Sequence, residues 1–134
     1  MRVGFLVFFL FCALLAAHPA AQSPSPSDPV VSGPLKIQPL KLDFGSQATG
    51  TAGAPIAITL TNAASYPIRI VDITASGIDF NETNSCGEAI SPGAMCQVQV
   101  VFKPVITGDR FGVLSVMVSS RVLPYFIGLS GVGL

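Results

Sequence analysis

Two cysteines, Cys86 and Cys96, bracket a loop containing Ser-Pro-Gly in the stretch CGEAISPGAMCQVQVVFKP. Paired thiols of this kind can act as a redox couple, hold a metal ion or form a structural disulfide. Their separation is wider than the C-x-x-C of thioredoxin-like redox motifs. A zinc site needs about four ligands, and the single histidine of the chain, His18, lies near the N-terminus. A structural disulfide is therefore the favoured interpretation.

The other polar residues form no pattern that predicts catalysis. No serine lies in a G-x-S-x-G motif, and the folded part has no histidine to serve as its base. Neither a Walker loop nor a G-x-G-x-x-G motif precedes a helix, so we expect no catalytic residue and no cofactor. The segment DFNETNS, Asp79 to Ser85, could supply oxygen ligands to calcium, but Asp and Asn are also common turn formers. We interpret the acids as solvated turn residues and predict no metal site.

The charge balance argues against a nucleic-acid partner. Seven Lys and Arg residues balance seven Asp and Glu residues, and the basic residues are scattered. Proteins that bind nucleic acids usually carry clustered Lys and Arg, because phosphate contacts dominate their affinity. We therefore expect no nucleic-acid binding.

The N-terminus has the layout of a secretory signal peptide. Arg2 precedes an unbroken apolar run from Val3 to Ala17, and small residues follow. The run is shorter than the roughly 20 residues that span a bilayer, so cleavage is favoured over an uncleaved anchor helix. We predict a signal peptide at residues 1–21 and no membrane span after cleavage. The mature protein would then be periplasmic, at the cell surface or extracellular, where a disulfide persists.

Residues 22–34, QSPSPSDPVVSGP, are rich in Ser and Pro and predict a semi-extended linker. Residues 35–134 instead alternate between apolar and polar positions and contain frequent turn residues, which predicts one all-β domain. Pro39 interrupts the first strand, which is therefore an edge strand or a split one. About seven short strands predict an immunoglobulin-like antiparallel β-sandwich. The clearest runs are Lys36–Phe44, Pro55–Thr61, Pro67–Ala75, Cys96–Phe102, Phe111–Ser119 and Val122–Leu129.

Alternation also predicts which side chains face inward and which face outward. The predicted inward residues are Cys96, Val98, Val100 and Phe102 on one strand and Leu123, Tyr125, Ile127 and Leu129 on the last. If Leu114 and Val116 face the core, Val113 and Met117 face solvent, and Phe126 does so on the last strand. The last two strands are neighbours in an immunoglobulin topology. These three outward residues would then form an exposed apolar strip of the kind that marks an interface. The alternative is that a bulge shifts one strand or that the linker covers the strip.

With the strands assigned, the sequence resembles the ASH (abnormal-spindle/hydin) domains, which are immunoglobulin-like relatives of the major sperm protein. It is most similar to the bacterial exported type known as choice-of-anchor D. The matching segments span residues 35–134 and are LDFGSQATGT, IAITLTNAASYPIRI, NSCGEAISPGAMCQVQVVFKPVITGDRFGVLSV and FIGLSGVGL. The resemblance implies scaffolding and binding rather than catalysis.

We therefore expect an exported, non-catalytic module that binds a protein or assembles structures at the cell envelope. One alternative is a chaperone-like or adhesin module, in which an edge strand such as the one with Pro39 adds to a partner's sheet. A second alternative is a carbohydrate-binding module, although the chain has no Trp and only two Tyr, Tyr66 and Tyr125. The partner and the oligomeric state do not follow from the sequence.

Overall fold

The structure, a computed structural model, describes residues 33–134 as two β-sheets. The predicted signal peptide, residues 1–21, and almost all of the predicted linker lie outside the described residues. No helix in the described part of the chain is long and apolar enough to cross a membrane. The strands are β1 (Leu35–Gln38), β2 (Lys41–Gln47), β3 (Ile56–Asn62), β4 (Ile68–Ser76), β5 (Phe80–Asn84), β6 (Ala89–Ile90), β7 (Met95–Phe102), β8 (Gly108–Val118) and β9 (Tyr125–Gly133).

The two sheets contain four and five strands. The first has the order β1-β3-β7-β5, and the second has the order β2-β9-β8-β4-β6. Every described pair is antiparallel except β2 with β9, which is parallel. The predicted all-β sandwich is confirmed. The prediction of about seven strands, all antiparallel, was too simple, because the first strand is split and the two-residue β6 has little sequence signal.

Pro39 separates β1 from β2. Proline has no N–H to donate to a ladder, so strand pairing stops there. β1 pairs with β3 at the edge of the four-stranded sheet, whereas β2 pairs with β9 at the edge of the five-stranded sheet. The chain thus changes sheets at the proline, as the split-strand interpretation requires.

A bulge in β4 explains an irregular hydrophobic pattern. The pairing of β4 with β8 shifts register between Ile70 and Asp72. Ile68 and Ile73 are therefore both buried although they are five positions apart, which in a regular strand would place them on opposite faces, while Val71 is exposed. A bulge places two residues of one strand opposite one residue of its partner, so it restores the inward alternation.

The core fills the space between the sheets. The inward residues predicted for β7, namely Cys96, Val98, Val100 and Phe102, are all buried. The Phe102 ring stacks on Phe80 with centroids 5.1 Å apart. Burying one large apolar side chain contributes about 1.5–3 kcal/mol, so this alternation supplies a large share of the folding free energy.

The last strand begins later than the sequence predicts. Val122 and Leu123 are exposed, whereas a strand over Val122–Leu129 would turn Leu123 inward. β9 begins at Tyr125, after a turn, and continues to Gly133 rather than ending at Leu129. Tyr125 and Leu129 are buried as predicted. The longer strand gives β9 more pairing positions with both β8 and β2.

Candidate interaction surface

The predicted disulfide is present in the structure. Cys86 and Cys96 are bonded, and their Cα atoms are 4.9 Å apart. The bond lies two residues beyond the last pair of the β5–β7 ladder, Asn84 with Val98. Both cysteines are buried. A shielded disulfide at a ladder position is suited to holding two strands together rather than to exchanging with thiols.

The loop closed by this disulfide does more than connect two neighbouring strands. Its short strand β6 pairs with β4, so the segment crosses from the four-stranded sheet to the other sheet and returns in β7. The Ile70 N–H donates to the Glu88 carbonyl, 2.9 Å away, which adds to this attachment. The loop therefore ties the edges of both sheets together.

Asn62 anchors the same end of the sandwich from β3. This side chain is fully buried, and its amide donates to the carbonyls of Tyr66 (2.8 Å) and Ile90 (2.9 Å). Its oxygen accepts a bond from the Ala64 N–H at 2.8 Å. All of its contacts go to backbone, so the buried amide is structural and has no free group for a ligand.

The interpretation of the acids as solvated turn residues is wrong for Asp79. It is only 1% exposed. Its carboxylate accepts hydrogen bonds from the Arg110 Nε at 2.7 Å and from the Val105 N–H at 2.9 Å. The sequence prediction failed because Arg110 is distant along the chain and meets Asp79 only when β8 joins the sheet.

The surroundings of Asp79 act on its pKa in opposite directions. Burial raises the pKa, because it penalises the charged form. The hydrogen bonds from Val105 and Arg110, together with the positive charge of Arg110, outweigh burial and bring the pKa below its usual value. Asp79 is therefore an ionised structural partner rather than a catalytic acid, which would need a raised pKa.

The three outward residues predicted as an interaction surface lie on one face of the five-stranded sheet. Phe126 is 61% exposed, Val113 is 36% exposed and Met117 is half-buried. Phe126 pairs with Ser115, the residue between Val113 and Met117 on β8. It is thus a diagonal neighbour of both. We call Val113, Met117, Phe126 and Phe111 the apolar strip.

Phe111 is 73% exposed and is not among the strip residues that the sequence predicts. The predicted strand begins only at Phe111, whereas β8 already begins at Gly108. Phe111 lies two residues before Val113, so period-two alternation extended towards the N-terminus would have placed it on the same face.

The opposite outer face is polar. On the four-stranded sheet, the outward positions of β3 and β7 include Thr59, Thr61, Gln97 and Gln99. A shallow recess of about 180 Å³ lies here, lined by Thr83, Asn84, Ser85, Gln97 and Gln99. No group of three or more His, Cys, Asp or Glu side chains that could hold a metal occurs within residues 33–134. The two outer faces therefore differ in character, and only one is apolar.

Comparison with known proteins places this architecture among immunoglobulin-like domains. No protein-family model matches the sequence, and no curated protein matches it. Among solved structures, a protein of unknown function from Porphyromonas gingivalis W83 is similar with a TM-score of 0.63 and 15% identity over 73% of this chain. The VesB protease of Vibrio cholerae is similar with a TM-score of 0.58 and 14% identity over 75% of this chain.

The chain spans only part of these larger proteins, 46% of the Porphyromonas protein and 32% of VesB. The ASH/PapD-like domain 7 of human CEP192 is matched over 85% of its length and over 75% of this chain, with a TM-score of 0.53 and 14% identity. At these identities the likeness shows the fold alone. It is the fold that the sequence resemblance predicted: an immunoglobulin-like sandwich, similar to the ASH/PapD-like domain of CEP192.

Proposed function

We propose that this chain is an exported, non-catalytic β-sandwich module that binds a protein partner through the apolar strip of its five-stranded sheet. The observation that supports it is the exposure of Phe111 and Phe126 on one face of the five-stranded sheet. Contiguous exposed apolar patches with polar surroundings are characteristic of interaction sites. The polar residues of the opposite face make that face a natural internal control.

The test is a site-specific cross-link. A photoreactive benzoylphenylalanine replaces Phe126 in one variant and Met95, which is 65% exposed on the other sheet, in the matched control. We expect cross-linked protein adducts from position 126 and few from position 95. The double variant Met117→Ser, Phe126→Ser should fold normally and lose the interaction. Equal adducts from both positions, or binding that persists in the double variant, would contradict the proposal.

Export is part of the same proposal. The buried disulfide is compatible with an oxidising compartment, where such bonds form and persist. N-terminal sequencing of the mature protein should begin after Ala17, Ala20 or Ala21, and both thiols should resist alkylation. Recovery of an unprocessed chain from the reducing cytoplasm with two free thiols would show that the export part is wrong.

Edge-strand addition is the second candidate function, and the position of β5 favours it. β5 is the last strand of its sheet. The Ser85 N–H donates to the Gln97 carbonyl, and the backbone carbonyl of Asp79 accepts from the Lys103 N–H. The backbone groups of the odd-numbered residues therefore bond to β7. Antiparallel pairing alternates, which leaves the N–H of Glu82 on the open side.

This geometry gives a selective test of edge-strand addition. Glu82→Pro removes an outward donor while sparing the ladder to β7, because proline is tolerated where the N–H faces away from the sheet. If a partner adds a strand here, the proline variant should lose binding while Glu82→Ala retains it. Equal binding by both variants would exclude this edge.

A further inference from the structure

Gly128 is a glycine that the fold itself does not require. It lies on the outer face of β9, and its φ is not in the left-handed region, unlike that of Gly45 or Gly108. A Cβ placed on Gly128 would meet only the Lys41 Cγ, at 3.9 Å. Among the strand glycines of residues 33–134, it alone has neither a positive φ nor a close intramolecular neighbour.

The remaining strand glycines have structural explanations. On Gly131, for example, a Cβ would lie 2.5 Å from the ring of Phe102. A glycine inside a strand costs stability, and it often marks a place where a ligand or another backbone approaches closely. At Gly128 no group of the described chain approaches closely, so a group that does so would come from outside it.

The outward residue pairs around Gly128 each combine a large and a small side chain, which makes the face self-complementary. In the β8–β9 ladder three successive outward pairs each join one large apolar residue to one small residue. The three pairs are Phe126 with Ser115, Val113 with Gly128, and Phe111 with Ser130. The small member lies on β8 in the first of these pairs and on β9 in the other two.

We propose that this face binds a second copy of the same chain, with a two-fold axis that runs parallel to the strands between β8 and β9. This inference rests on the proposed function and names its partner. The axis exchanges β8 with β9, so each large residue of one copy packs on the small residue of its own pair in the other copy. Val113 of one copy then packs into the space that the absent side chain of Gly128 leaves on the other. A two-fold contact requires such self-complementarity.

Charges at the rim of the face are compatible with this arrangement. Lys41 pairs with Gly128, and Ser76 pairs with Val113, so both lie in the same row of the sheet. The axis brings Lys41 of one copy opposite Ser76 of the other. Asp43 shares the row of Ser130, whereas Asp72 shares the row of Met117. No like charges therefore oppose each other in these rows.

The size of the face sets the expected strength of binding. Four strands about 4.8 Å apart, with about 25 Å of length each, present a face of about 500 Å² per copy. A standard stable interface buries about 800 Å² per partner. The dimer should therefore be weak and depend on protein concentration, in the range of transient complexes.

The experiment measures self-association by sedimentation velocity over about 10 μM to about 1 mM of the disulfide-bonded protein. Gly128→Val places a side chain in the space above Gly128. Valine is favoured in strands, and the monomer has room for it there. Thr59→Val makes a similar change on the polar face of the other sheet. We expect the wild type and Thr59→Val to dimerise alike, and Gly128→Val to bind at least about tenfold more weakly while unfolding at the same or a higher urea concentration.

Mapping the contact separates this inference from the proposed function. The Phe126 benzoylphenylalanine variant is mixed with ¹⁵N-labelled wild-type chain, so that cross-links between copies differ in mass from those within one copy. A labelled peptide containing Ser115 supports the dimer. Adducts only with a foreign protein overturn the dimer but leave the proposed function intact. Dimerisation of Gly128→Val at wild-type strength, or a wild type that stays monomeric, overturns the inference as well.

Discussion

Asp79 and Arg110 should respond unequally when each loses the other. The carboxylate of Asp79 is almost completely buried, whereas the Arg110 side chain keeps 22% of its surface exposed. Arg110→Met therefore leaves a buried charge without its ionic partner. Asp79→Asn leaves a cation that can still reach water, and the new amide oxygen can still accept the bond from the Val105 N–H.

The structure sets the size of these effects. Removing one partner of a buried ion pair costs about 3–5 kcal/mol when the remaining charge stays buried, and we expect this range for Arg110→Met. Asp79→Asn retains one hydrogen bond and leaves no buried charge without a partner, so it should lower the free energy of unfolding by about 1–2 kcal/mol. A whole domain is stable by only about 5–15 kcal/mol, so urea unfolding at pH 7 will separate the two variants clearly.

The pH dependence provides an independent readout. The folded-state pKa of Asp79 is lowered from 3.8, so its contribution to stability is fully present above that value and is lost as pH falls through the folded pKa. Asp79→Asn has no carboxylate at this position to titrate. The difference in unfolding free energy between the wild type and this variant should therefore shrink as pH falls below about 3.8.

Two results would refute this reasoning. One is an Asp79→Asn variant that loses as much stability as Arg110→Met at pH 7. The other is a wild-type advantage over Asp79→Asn that stays constant down to pH 2, which would mean that folding does not lower the pKa of this carboxyl group. The variant Asp109→Asn, at an exposed neighbouring acid, provides the matched control and should change stability little.

Three further predictions concern the scaffold, and urea unfolding measures all of them. Replacing Cys86 and Cys96 together by Ser should cost about 2.5–3 kcal/mol, as the chain-entropy model gives for so short a loop; unchanged stability would mean that the bond constrains nothing. Asn62→Ala should cost about 3 kcal/mol or more, because it leaves buried backbone groups without partners, and a loss below about 1 kcal/mol would contradict this. Gly131→Ala should cost about 1–3 kcal/mol through overpacking against Phe102, and a neutral result would mean that the ring moves aside freely.

Local alternation was enough to predict most of the core. Val98 and Val100 on β7, and Leu114 and Val116 on β8, are inward because each strand buries one face and residues two apart share it. The outward direction of Phe126 follows from the same rule. The predicted strip was therefore obtained without any knowledge of which strands pair, apart from the adjacency of the last two.

Long-range pairing was the part that the sequence could not supply. The residues around Asp79 are typical of a turn, and they give no sign that Asp79 is buried. It is buried in an ion pair only because β8 brings Arg110 next to it in the folded protein. The sequence also gives no signal for β6, because two residues are too few to show an alternating hydrophobic pattern. Leu123 was assigned inward because the alternation was extended across a turn. In each instance the deciding contact comes from a distant segment.

The glycines of β9 show most sharply where sequence reasoning ends. Gly128 and Gly131 are three residues apart on an alternating strand, so they lie on opposite faces, yet nothing local distinguishes their roles. Only the packing does, since Gly131 is needed to admit the ring of Phe102, whereas Gly128 has open space above it. A glycine that the interior needs says nothing about function. A glycine that the interior does not need, set among large apolar side chains on an exposed face, has a reason only in what that face contacts.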